Sequence, residues 1–104
     1  VGSDNWLGTE WKGTSAEKQV LQYTLDLAEQ WASENQRPIF LGEFGAYGKA
    51  PLDSRVTWTS FIAREAEARN FSWSYWEFCS GFGVYDPVAR QWKEDLVQAL
   101  IPIR

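Results

Sequence analysis

The run Pro38-Ile39-Phe40-Leu41-Gly42-Glu43-Phe44-Gly45 constrains this chain more than any other stretch. A short apolar segment bounded by proline and glycine reads as a buried strand, here over residues 38–44. It ends in a carboxylate set between two glycines, with no lysine or arginine adjacent. Burying such a group without a purpose is costly. Strand ends are where barrel enzymes carry their catalytic groups. The same glutamate also fits a plainer role, pairing with an arginine or capping a turn.

The flanking segments alternate with this strand. Residues 1–13 are rich in Gly and Asp and read as a loop. Thr14 and Glu17 form a capping box, which predicts a helix from there to about residue 35. Its apolar stripe is Val20, Thr24, Leu27 and Trp31, widened by Leu21, Leu25 and Ala28. Pro38 biases Arg37 away from helical angles and ends it. A loop over 45–53 leads to a second helix over about 54–69, with Asp53 as its expected N-cap. That helix carries Trp58, Phe61, Ile62 and Ala66 on one face, with Arg64, Glu65, Glu67 and Arg69 outside. A second strand is expected over 71–78. Phe71, Trp73 and Tyr75 fall on its helix-facing side, and Ser72, Ser74 and Trp76 on the other. A loop over 79–91 then precedes a last helix over 91–101, with Trp92, Leu96, Ala99 and Leu100 on its apolar face.

Strands alternating with helices imply an α/β fold with a parallel sheet and right-handed crossovers. Two parallel strands are too few to stand alone, because such a sheet needs both faces covered and further strands beside it. The 104 residues amount to one domain or less. They begin at Val1 rather than Met, so processing, truncation or an engineered boundary is expected, and export signals are not observable. No stretch is long and apolar enough to cross a membrane. With no histidine, a zinc site, a Ser-His-Asp triad and a Cys-His dyad are excluded. The single cysteine, Cys79, rules out an internal disulfide and is expected to be a small buried residue. A net charge of −4 without a basic cluster argues against nucleic acid and anionic membranes. Seven tryptophans admit two readings, core packing or stacking on the apolar faces of sugar rings. A mildly acidic, Trp-rich surface suits a neutral polysaccharide.

Gly42-Glu43-Phe44-Gly45, followed about thirty residues on by Tyr75-Trp76-Glu77-Phe78, resembles the C-terminal part of glycoside hydrolase family 5 cellulases. The likeness is closest to bacterial endoglucanases of the thermophilic type. It runs through residues 38–47, 58–61 and 75–86, and takes in the Trp6-Leu7-Gly8 loop and the final helix. The resemblance implies a C-terminal fragment of a (β/α)8 TIM barrel, namely its last two parallel strands with three helices, and residues 1–104 as part of a single catalytic barrel with no second domain. It implies a secreted bacterial parent, a β-1,4-linked polysaccharide or oligosaccharide substrate, and no metal or organic cofactor. It casts Glu43 as the nucleophile of a retaining endo-β-1,4-glucanase and Trp76 as the platform for the sugar beside the cleavage point. Glu77, Tyr47 and Lys49 are further candidates for lining the cleft.

Several family features are missing. The Asn-Glu pair that supplies the acid/base, an arginine near the first strand, and histidines on the third and sixth strands have no counterpart, since the likeness starts after the sixth strand. The isolated chain is therefore expected to be inactive. Its exposed strand edges would be covered by an N-terminal barrel fragment or by another copy of itself. Glu77 as a second carboxylate is disfavoured by strand alternation, which turns it away from Trp76; a salt bridge or loop anchor is the plainer role. Two other readings stand beside the glucanase: a non-catalytic half-barrel that self-assembles or binds sugar, and an endo-β-mannanase or xyloglucanase of the same family.

Overall fold

The structure, a computed structural model, describes residues 10–103. The expected loop at 1–13 is seen only from residue 10, and the Trp6-Leu7-Gly8 segment lies outside the described residues. The elements run α1 (Ser15–Asn35), β1 (Phe40–Phe44), α2 (Leu52–Ala68), β2 (Ser72–Tyr75), β3 (Tyr85–Asp86), β4 (Gln91–Trp92) and α3 (Glu94–Leu100). β1 and β2 pair in parallel, and β3 and β4 form a small antiparallel hairpin.

α1 begins where the capping box places it. Glu17 N–H donates to the Thr14 hydroxyl, and the Glu17 carboxylate accepts from Thr14 N–H at 2.7 Å and from Lys12 N–H at 3.1 Å. The bond from the Thr14 backbone, then that from Lys12, holds the Glu17 carboxyl below its ordinary range. The helix ends at Gln36, whose backbone adopts the left-handed conformation.

Two helices and both parallel strands depart from the expected bounds. α2 opens at Leu52, and its N-cap is Pro51 rather than Asp53. Proline's fixed φ already suits a helix entrance, and Arg55 N–H makes the first helical bond back to Pro51 O at 3.0 Å. Asp53 sits inside the first turn, where its charge complements the helix dipole. At the other end, residues 91–92 are strand rather than helix. Trp92 pairs with Tyr85 and packs edge-on against Tyr85 and Phe78. The turn between them is built by Asp86, which accepts from Val88 and Ala89 N–H, both at 2.9 Å. Those bonds, Ala89 foremost, lower the Asp86 carboxyl. β1 and β2 are shorter than expected, five and four residues. Cys79 is exposed rather than buried, on the loop after β2.

The core lies between the sheet and α2. Phe44, Ile62, Ala63 and Leu100 form its centre, with Leu41, Trp58, Trp73 and Tyr75 packed around them. Trp73 and Tyr75 both meet the Phe44 ring edge-on, at 5.5 and 5.6 Å. The rings of β2 thus face the helices, and Ser72 and Ser74 face away, as the alternation required.

α1 is attached differently. None of its residues is fully buried. The stripe read from the sequence divides in two: Leu21, Leu25 and Ala28 turn toward the chain, while Val20, Leu27 and Trp31 are about half exposed. Besides the packing of Leu21 on the core, polar bonds tie α1 to the end of α2. Arg69 bonds Glu65 at 2.8 Å and Asp26 at 3.0 Å, and Gln22 donates to Glu65 at 3.1 Å.

Two consequences are measurable. Arg69→Ala removes a nearly buried donor from this cluster and is expected to cost about 1–3 kcal/mol. Because no residue of α1 is fully buried, amide exchange in α1 should rise before that in α2, and equal rises would show the two helices equally held. Thr14→Ala should cost about 1 kcal/mol near neutral pH. Because the Glu17 carboxyl is lowered in the folded state, the capping contribution is complete above the ordinary glutamate pKa. It fades as pH falls through the lowered value, so the mutational cost should shrink in acid.

Candidate active site

The site begins with an irregularity in β1. Its partners on β2 are Phe40↔Ser72, Leu41↔Trp73 and Phe44↔Tyr75, with a register shift between Leu41 and Phe44. Gly42 and Glu43 together therefore stand opposite Ser74 alone. In a regular strand Leu41 and Phe44, three positions apart, would face opposite sides. The extra residue lets both enter the helix-side core. Glu43 precedes Phe44 and is carried to the other face, with Ser72 and Ser74. Trp76 follows on that side just past the end of β2, half exposed.

The two strand ends are in backbone contact. Trp76 N–H donates to Phe44 O at 2.8 Å. A Cβ on Gly45 would lie 1.9 Å from the Trp76 carbonyl oxygen, so only glycine fits there. Beyond it, Gly48 N–H donates to Gly81 O at 2.7 Å, and a Cβ on Gly48 would meet that oxygen at 2.6 Å. The turn after β1 and the loop after β2 thus touch backbone to backbone at two points. Tyr47 lies on this junction, half exposed and tilted against Phe82 at 5.2 Å, with Lys49 Nζ 6.0 Å from its ring.

The carboxylates in the region are used differently. Glu43 is exposed and, among the described residues, its side chain takes no hydrogen bond or ion pair. The Trp76–Glu77 peptide bond is cis. Glu77 accepts from Ser80 N–H at 2.7 Å, Phe82 N–H at 3.2 Å and Cys79 N–H at 3.3 Å. It anchors the loop that follows it. Glu43 and Trp76 also border an apolar groove of about 440 Å³ at the open side of the sheet, with Leu21 and Leu25 of α1 and Leu41 of β1 in its wall.

Residues 3–81 match the family model of cellulase, glycosyl hydrolase family 5. The chain belongs to this family. Endoglucanase Cel5A from Thermotoga maritima is 53% identical and superposes with a TM-score of 0.86 over 96% of this chain, which is 32% of that one. Endoglucanase B of Clostridium cellulovorans is 28% identical over 95% of the chain. The cellulase/esterase CelE of Acetivibrio thermocellus is 34% identical over 77% of it. The chain spans about a quarter of the first of these curated relatives and about a tenth of the second. Its two parallel strands and three main helices are accordingly a portion of the family 5 (β/α)8 barrel.

Of the sequence candidates, Glu43 and Trp76 share one face, Tyr47 and Lys49 occupy the adjoining turn, and Glu77 is committed to its loop. One residue at the junction escaped the sequence reading. Arg55, in the first turn of α2, is 4% exposed. Its Nε donates to Ala46 O and its Nη2 to Phe82 O, each at 3.1 Å. A cation opposes the helix dipole at that position, and this unfavourable placement was the available signal.

Gly45→Ala tests the backbone contact. The methyl group must push β1 and Trp76 apart, with an expected loss of about 1–3 kcal/mol in urea unfolding. Unchanged stability would show that the strand ends have room between them.

Proposed function

We propose that this chain carries the nucleophile half of a retaining endo-β-1,4-glucanase site. Glu43 is the nucleophile and Trp76 the stacking surface for the sugar next to the scissile bond. The observation that carries this reading is the state of Glu43: a strand-end carboxylate, exposed and unpaired among the described residues, bordering the same groove as Trp76. By contrast, the structural carboxylates Glu17 and Glu77 are engaged by backbone N–H groups.

Retention requires two carboxyl groups about 5–5.5 Å apart. In the proposed reaction a Glu43 oxygen attacks the anomeric carbon, while an acid protonates the departing glycosidic oxygen. Water, deprotonated by that same group, then releases the glycosyl ester and restores Glu43. The acid/base belongs to strands that are not part of this chain. Support comes from the groove beside β1, whose outer edge is unpaired among the described residues, and from the half-exposed Val20, Leu27 and Trp31 and the largely exposed Phe40. A further parallel strand of the same barrel would cover these surfaces. Tyr47 and Lys49 stand where a longer oligosaccharide would leave the cleft. Glu77 acts on substrate only through the loop it holds.

A β-mannan substrate is the second reading, because Thermotoga maritima Cel5A has been solved with mannotriose as well as with cellobiose. Glucan and mannan are tested side by side. In the complete barrel, Glu43→Gln should lower turnover on soluble β-1,4-glucan on the order of 10³-fold or more. Trp76→Ala should weaken cello-oligosaccharide binding roughly tenfold, the scale of one lost aromatic contact. The 104-residue chain alone should show no turnover. Hydrolysis by the isolated chain, or full activity of Glu43→Gln, would refute the assignment; sugar binding without any hydrolysis in the complete barrel would favour a non-catalytic module.

A further inference from the structure

We propose that Arg55 is a positioning residue, which holds the turn after Glu43 and the loop after Trp76 at a fixed separation. This rests on the roles given above to Glu43 and Trp76. Arg55 is a buried cation, and no described carboxylate pairs with it. Burying a guanidinium without a counter-ion is costly unless its donors are satisfied. Here the partners are two backbone carbonyls on separate segments: Ala46, three residues past Glu43, and Phe82, six past Trp76. A planar fork of fixed geometry can span two such acceptors, whereas a lysine ammonium is a single point.

Phe82 is held through both of its backbone groups. Its N–H donates to Glu77, and its carbonyl accepts from Arg55 and from the Tyr75 hydroxyl at 2.9 Å. With Gly45 against the Trp76 carbonyl, any spreading of the two loops displaces Glu43 relative to Trp76. A misplacement of about 1 Å can lower a rate on the order of 10²-fold. Arg55 touches neither the sugar nor the reacting atoms in this account, so it acts on the rate through the two loops.

The test uses the complete barrel carrying this chain, with Arg55→Lys and Tyr75→Phe compared with wild type. Arg55→Lys is expected to lower kcat about 10–100-fold on soluble β-1,4-glucan, with KM within about threefold. Amide exchange at Gly48 and at Phe82 should rise together, and α1 should be unaffected. Tyr75→Phe removes one bond to the same carbonyl while keeping the ring. It should raise exchange at Phe82 and lower kcat less, and it carries the test if Arg55→Lys does not fold. In Arg55→Lys, preserved kcat despite a lower Tm, or increased exchange in one loop only, would overturn the proposal and leave Arg55 a stabilising anchor; in Tyr75→Phe, unchanged kcat despite faster exchange at Phe82 would do the same. A wild-type barrel that hydrolyses neither glucan nor mannan would overturn the functional reading, and the positioning role with it. The exchange data would still report whether the two loops are braced together.

Discussion

The site depends on how two parallel strands meet at their C-terminal ends. The register shift in β1 places two residues opposite one, and with that Phe44 joins Leu41 in the core while Glu43 turns to the serine side of the sheet. The contact of Gly45 with the Trp76 carbonyl then brings the strand ends as close as backbones allow. A regular strand would have required a choice between a buried Phe44 and a buried Leu41. The bulge allows both and frees the carboxylate. Packing and chemistry are thus set by the same extra residue.

Polar groups are divided around this junction with little redundancy. Glu77 accepts from the Phe82 N–H, Arg55 donates to the Phe82 carbonyl, and Lys93 Nζ donates to the Gly83 carbonyl at 3.0 Å. Glu43 is left out of these arrangements. A carboxylate without a hydrogen bond to the local fold is free to serve a reaction, and in the proposed function it is one of the two groups that glycoside hydrolysis needs. The apolar surface left on α1 and β1 has the same meaning at the level of the fold. The sheet corresponds to a part of a family 5 barrel, of which this chain covers 32% in Thermotoga maritima Cel5A, and in the proposed function the acid/base comes from the remainder.

Much of this was legible in the residues, and the parts that were not share a cause. The capping box placed α1 correctly because Thr14 and Glu17 act within four residues of each other. The alternation of rings and serines in β2 gave its faces directly. By contrast, Asp53 and Pro51 both suit a helix start, and only the bond from Arg55 to the Pro51 carbonyl decides between them. Trp92 has helical spacing to Leu96 but is held by Tyr85, seven residues earlier. Leu41 and Phe44 are apolar in any register, so the bulge leaves no trace in composition. The loop role of Glu77 and the brace formed by Arg55 depend on where backbone N–H and carbonyl groups converge, and side-chain patterns do not record that. Family likeness pointed to Glu43 and Trp76; it did not reveal what keeps them together.

The central claim is that Glu43 becomes covalently bound to sugar once the barrel is complete. The most direct measurement joins this chain to the upstream strands of a family member and traps the intermediate with a 2-deoxy-2-fluoro cellobioside. Peptide mapping by mass spectrometry then locates the label. A single glycosyl ester on Glu43 is expected. A label on another carboxylate, or hydrolysis that inverts the anomeric centre and leaves no labelled peptide, would contradict it.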